Sequence, residues 1–271
     1  MAEAPGADSG WLRRFTGQTR FIVWAGMGLT VAAAWAVLAG MAWAGKGAPA
    51  GSLIAALCTP DATATSLRSL VASLIMWLAM ALAMMLPTAA PMISAYLDIA
   101  ETAAARRKRV VSAGVLAGGY VTVWLGFSLV ATGLQAGLRE AGGLDVWHGS
   151  LNFVGAGLIL MLAGAYQFTP LKQACLSKCQ QPMPFFMANW TEEPAGVFRL
   201  GLRQGLWCLG CCWALMLAMF AVGLMNLVWM AGLGLVMMAE KLYAESRALT
   251  WGAGLIFLAG GAAVLTAGLV R

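Results

Sequence analysis

Charge is scarce in this sequence. Only 10% of its 271 residues are Asp, Glu, Lys or Arg, against about 25% in soluble domains. So little charge cannot cover a water-facing surface of this size. With 61% apolar residues, most side chains must face lipid or one another. Histidine is scarcer still, with His148 the only one. Its solitude excludes bis-histidine haem ligation within the chain and histidine-rich zinc or di-iron sites. No Cys-x-x-Cys-His attachment sequence, Walker loop or dinucleotide fingerprint is present. Carboxylates and arginines are almost missing from the interiors of the apolar runs. That speaks against voltage sensing, proton relays and proton-coupled transport of a polar solute. No nucleophile has a base beside it, so enzymatic activity is not indicated.

What is present is a series of apolar runs at 21–44, 67–91, 110–134, 150–168, 206–223, 224–241 and 251–270. Each is near the ~20 residues that a helical span needs. The expected fold is an all-α, polytopic transmembrane helix bundle of about seven spans. It forms one domain over 21–271, behind a cytoplasmic segment 1–20. The first run exceeds the ~7–15 residues of a cleavable signal core and reads as a retained signal anchor. The fifth and sixth are continuous over 36 residues, roughly 54 Å as helix. The chain is therefore expected to turn back at Gly223-Leu224-Met225-Asn226; without that hairpin the count is six. Pro87 and Pro91 are expected to break the second span.

The net charge is +6, yet the basic residues do not make a nucleic-acid footprint, because they fall in short clusters between apolar runs. Arg13, Arg14 and Arg20, then Arg106-Arg107-Lys108-Arg109, then Lys172, Lys178, Arg199 and Arg203, then Lys241 and Arg247 all fall on one side of a seven-span arrangement. Lys46, Asp61, Arg139, Glu140 and Asp145 fall on the other. The positive-inside rule makes the first side cytoplasmic: a multi-pass protein of the bacterial inner membrane, its N-terminus in the cytoplasm and the lipid bilayer its first partner. The segment 169–205 holds Pro182, Pro184, Phe185, Phe186 and Trp190. It is expected to lie at the cytoplasmic interface or fold back on the bundle. Arg199 and Arg203 read as anchors to anionic headgroups.

Five of the six cysteines lie within 175–212. Cys175 and Cys179 are four apart. Cys208, Cys211 and Cys212, at i, i+3 and i+4, share one helix face. The topology puts both groups on the cytoplasmic side, where four or five thiols can converge. Thiolates suit Cu(I), zinc or iron–sulfur clusters, and a reducing compartment favours metal over a disulfide. Cys58 stands alone on the opposite side. In the second span, Met76, Met80 and Met84 form an i, i+4, i+8 row. Thioethers are neutral, soft donors for Cu(I), and methionine is also an ordinary core filler.

Two runs carry a resemblance. One is Tyr166-Gln167-Phe168-Thr169-Pro170-Leu171-Lys172-Gln173-Ala174-Cys175-Leu176-Ser177-Lys178-Cys179. The other is Gly201-Leu202-Arg203-Gln204-Gly205-Leu206-Trp207-Cys208-Leu209-Gly210-Cys211-Cys212-Trp213. With Ala83-Met84-Met85-Leu86-Pro87, Pro91-Met92 and the stretch 223–241, the chain resembles a bacterial family of predicted metal-binding integral membrane proteins, some labelled copper chaperones. The resemblance covers roughly 66–241. It implies metal binding at Cys175, Cys179, Cys208, Cys211 and Cys212, with Met84, Met85 and Met92 among the matching positions.

The leading expectation is binding of a soft metal, copper ahead of zinc or iron–sulfur, at the five clustered cysteines. Met76, Met80 and Met84 would pass the ion through the bundle to an outer-side acceptor. A second reading is a structural or assembly subunit of a larger membrane complex, motivated by 33 Gly and 12 Trp and by spacings such as Gly114 to Gly118 that bring helices together. A third is a thiol–disulfide oxidoreductase, since Cys208 and Cys211 have the Cys-x-x-Cys spacing.

Overall fold

The computed structural model describes residues 9–44, 67–142, 151–224, 226–243 and 247–270. Cys58 and His148 lie outside them. In chain order the helices are α1 (Ser9–Ala44), α2 (Leu67–Thr88), α3 (Ala90–Ala105), α4 (Ala113–Glu140), α5 (Phe153–Tyr166), α6 (Pro170–Gln180), α7 (Pro182–Ala188), α8 (Pro194–Leu217), α9 (Met219–Val222), α10 (Leu227–Leu242) and α11 (Arg247–Leu269). No strand occurs among the described residues. The chain is an all-α bundle and a multi-pass membrane protein. Five helical stretches are long and apolar enough to cross a membrane, within α1, α2, α4, α8–α9 and α11. The α5–α6 pair, bent by 64°, makes a sixth if it counts as one span.

The bends fall where the sequence chemistry puts them. Pro87 sits in the last turn of α2, and Pro91 opens α3. At Pro170 the chain loses a backbone donor, and Thr169 caps α6 by accepting from the Lys172 N–H at 3.3 Å. Gly223 takes φ 102°, and the Asn226 side chain caps α10 by accepting from the Trp229 N–H at 3.0 Å. The chain turns back there, as expected, but α10 is too short to count as a span, so the count among the described residues is five or six and not seven. Lys241 on α10 meets Cys208 on α8; Cys208 lies fourteen residues before Val222 and Lys241 fourteen residues after Leu227.

Three runs differ from expectation in extent. The run at 150–168 is a 14-residue helix that bends into α6. The run at 224–241 yields a 16-residue helix, α10. The fifth span starts at Pro194, twelve residues before position 206. Pro194 sits in the first turn, where its missing N–H costs nothing. Cys208 therefore lies at the midpoint of the 29-residue stretch Pro194–Val222, not at its edge. Between α6 and α8 the chain folds back on the bundle. Phe186 is fully buried, Phe185 meets Trp207 edge-on at 4.7 Å, and Trp190 stacks on Tyr96 at 5.6 Å. The charged segments gather at one end. Arg20 pairs with Asp98 and Glu101 of α3, Lys108 lies 3.8 Å from Glu192, and the Gln180 amide donates to the Glu240 carbonyl at 2.7 Å.

Glycines set the two closest helix contacts. A Cβ on Gly119 of α4 would lie 2.2 Å from the Phe198 carbonyl oxygen, and one on Gly201 of α8 would lie 2.1 Å from that of Leu116. Backbone meets backbone there, as small residues allow in membranes. Gly118, in the spacing singled out above, has its nearest neighbour at 3.9 Å and is not the contact. The α5–α11 pair is antiparallel: Gly157 abuts Gly261, and Gly164 abuts Gly254.

Candidate metal centre

Helix α8 presents Cys208, Cys211 and Cys212 inward, all at most 2% exposed. The 64° bend turns α6 against them. Cys179 of α6 lies beside Cys211, close enough for the two thiols to interact. Half-buried Cys175 packs on Gly210, where an added Cβ would lie 2.6 Å from its Sγ. The two cysteine groups therefore meet. All five thiols are free.

The sulfurs form a chain of contacts. Cys208 Sγ lies 3.9 Å from Cys212 Sγ, Cys211 Sγ lies 3.8 Å from Cys212 Sγ, and Cys212 Sγ lies 3.6 Å from Met85 Sδ. Four sulfurs held tetrahedrally at ~2.3 Å from one ion stand roughly 3.8 Å apart. The spacing suits ligands that share an ion. Among the described residues, however, no three His, Cys, Asp or Glu side chains yet enclose one.

A ring of hydrogen bonds surrounds Cys208. The Lys241 ammonium, 4% exposed, donates to Cys208 Sγ at 2.9 Å and to Thr88 Oγ1 at 2.7 Å. Thr88 in turn donates to the Met85 carbonyl at 2.8 Å, and Tyr120 OH donates to the same carbonyl at 3.0 Å. Tyr120 OH also lies 2.9 Å from Cys208 Sγ. The proline break explains the ring. Ala89 N–H bonds the Leu86 carbonyl rather than that of Met85, so the Met85 oxygen is left for the two hydroxyls. One turn before Cys208, buried Gln204 holds its Nε2 without a partner among the described residues.

A second buried charge arrangement lies behind this one. Lys172 Nζ on α6 donates to both carboxylate oxygens of Glu240 on α10, at 2.9 and 2.8 Å, with side chains 0% and 3% exposed. Lys172, Cys175 and Cys179 lie at i, i+3 and i+7, so one face of α6 carries the ion pair and both thiols. Glu240 and Lys241 end α10 inside the protein, and not in a solvated loop.

The family model for "PpoB2: Copper chaperone" matches residues 74–264, more than half of the chain and all of this centre. The chain belongs to the copper chaperone family. No curated protein and no solved structure matches it. A copper-related role follows from membership. Thiol and thioether sulfur are soft donors of the kind Cu(I) takes.

Among the residues singled out from sequence, the five cysteines come together. Met76, Met80 and Met84 are buried. Met84 faces Gly234 of α10, and it is Met85 that touches a thiol. Exposed Arg203 lies 3.5 Å from Asn189 Oδ1. Sequence reading missed Tyr120, Thr88, Lys172, Glu240 and Lys241 as members of the centre. The shared face of Lys172, Cys175 and Cys179 was the one available signal.

Proposed function

We propose that this copper chaperone family member binds Cu(I) through Cys208, Cys211, Cys212 and Cys179, with Cys175 as the outermost thiol, and delivers the ion to an acceptor on the outer side of the bacterial inner membrane. The observation that carries the reading is the run of sulfur contacts from Cys208, Cys211 and Cys212 of α8 to Met85 of α2, with Cys179 of α6 beside Cys211. Soft thiolate donors suit Cu(I), and here copper is cargo, taken up and passed on. Met76, Met80 and Met84 continue the buried sulfur along α2 and would form the onward path. The clustering of lysine and arginine supports a cytoplasmic N-terminus and a thiol site reached from that side.

Lys241 fits this role electrostatically. Cu(I) held by several thiolates carries net negative charge, which is costly to bury alone. The ammonium beside Cys208 offsets one unit of it. Lys241→Met is therefore expected to lower copper affinity by about tenfold or more, measured by competition with a Cu(I) chelator. Unchanged affinity would remove Lys241 from the account.

The test of the function is copper content after Cu(I) loading under reducing conditions in mild detergent. Wild type is expected to retain about one copper per chain, and a Cys208→Ser/Cys211→Ser/Cys212→Ser variant none. Equal content in both would overturn the reading and favour a structural subunit of a larger complex.

A further inference from the structure

We infer that Met85 is a ligand of the same centre and sets its preference for Cu(I) over Zn(II). The inference rests on the thiolate reading above and adds a donor from a different helix. Met85 is fully buried, with its Sδ 3.6 Å from Cys212 Sγ. That separation is shorter than the thiol–thiol contacts in the cluster, 3.8 and 3.9 Å. Met84, next in sequence and equally buried, points at Gly234.

The backbone explains why Met85 and not its neighbour reaches the cluster. Thr88 and Tyr120 donate to the Met85 carbonyl at 2.8 and 3.0 Å. Tyr120 simultaneously contacts Cys208 at 2.9 Å. Tyr120 thus ties the last turn of α2 to the cysteine turn of α8. Residue 85 is held at a fixed distance from the thiols.

The chemistry follows from the donor. A thioether is neutral and soft. It bonds Cu(I) well, and it offers little to Zn(II), which takes thiolate, imidazole or carboxylate. A mixed thiolate–thioether set also adds a fourth sulfur without adding negative charge to a buried site. Cys179, Cys208, Cys211 and Cys212 alone would make an all-thiolate set well suited to zinc. With Met85 beside them, the set gains a neutral soft donor that favours Cu(I).

The test compares Met85→Leu with Met230→Leu, at a fully buried methionine of α10, in the full chain. Leucine preserves apolar volume at both positions. Met85→Leu is expected to weaken Cu(I) binding by at least about tenfold and leave Zn(II) binding unchanged. Met230→Leu is expected to change neither. Equal Cu(I) affinity in Met85→Leu and wild type would overturn the inference, as would an equal loss in both variants. A second measurement needs no variant. Copper K-edge scattering from loaded wild-type protein labelled with selenomethionine is expected to show one selenium neighbour beside the sulfurs. A sulfur-only shell in labelled protein would refute Met85 as a ligand and leave the thiolate site standing. Loss of copper binding from wild type altogether would refute the thiolate site itself.

Discussion

Replacing Gly201 with alanine is expected to separate α4 from α8 and to destabilise the protein by about 3 kcal/mol or more, above the usual range for one added methyl. The added carbon would lie 2.1 Å from the Leu116 carbonyl oxygen and 3.1 Å from the Gly119 Cα. Both are backbone atoms of a rigid helix, and no side chain can rotate away. Gly119→Ala meets the Phe198 carbonyl at 2.2 Å and should behave alike. Gly126→Ala, on the same α4, has open space around it. It should be neutral or stabilising by up to about 1 kcal/mol through helix propensity. Thermal unfolding in detergent separates these cases. If Gly201→Ala unfolds with wild type, the two helices do not touch as described. The centre would suffer with the fold, because α4 brings Tyr120 and α8 brings Cys208.

Breaking the Lys172–Glu240 pair is the second large effect. Both side chains are buried, and removing one partner strands the other's charge. Lys172→Met and Glu240→Leu are each expected to cost about 3–5 kcal/mol, and the double variant much less than the sum. The pair also joins the cysteine face of α6 to α10. Either single variant should therefore loosen Cys179 from Cys211 and weaken copper retention. The double variant, which regains packing, should recover stability. Additive losses in stability would show that the two side chains do not interact.

The architecture was legible because its signals are local. Prolines at 87 and 91 end or begin helices by removing a donor, and Gly223 with Asn226 marks a turn. The i, i+3, i+4 spacing of Cys208, Cys211 and Cys212 put three thiols on one face before any coordinates. Which methionine joins them was not legible. Met84 and Met85 differ by one residue, or about 100° around the helix, and only the packing of α2 against α8 chooses between them. The buried charges were hidden for a related reason. A lysine at the end of an apolar run reads as an interfacial anchor unless its partner is known. Lys241 finds Cys208 thirty-three residues away, and Lys172 finds Glu240 sixty-eight away. The start of α8 at Pro194 could have been read from proline's preference for the first helical turn. Arg199 and Arg203 argued instead for a span starting later, yet the helix continues through both beyond the apolar run.

The central claim is that sulfur from α6 and α8 holds copper at the midpoint of the α8 stretch. The most direct measurement is the copper K-edge absorption spectrum of the unlabelled, Cu(I)-loaded protein in detergent. The account predicts a Cu(I) edge with a first shell of sulfur alone, lost when Cys208, Cys211 and Cys212 become serine. A first shell of nitrogen or oxygen, unchanged in that variant, would contradict it.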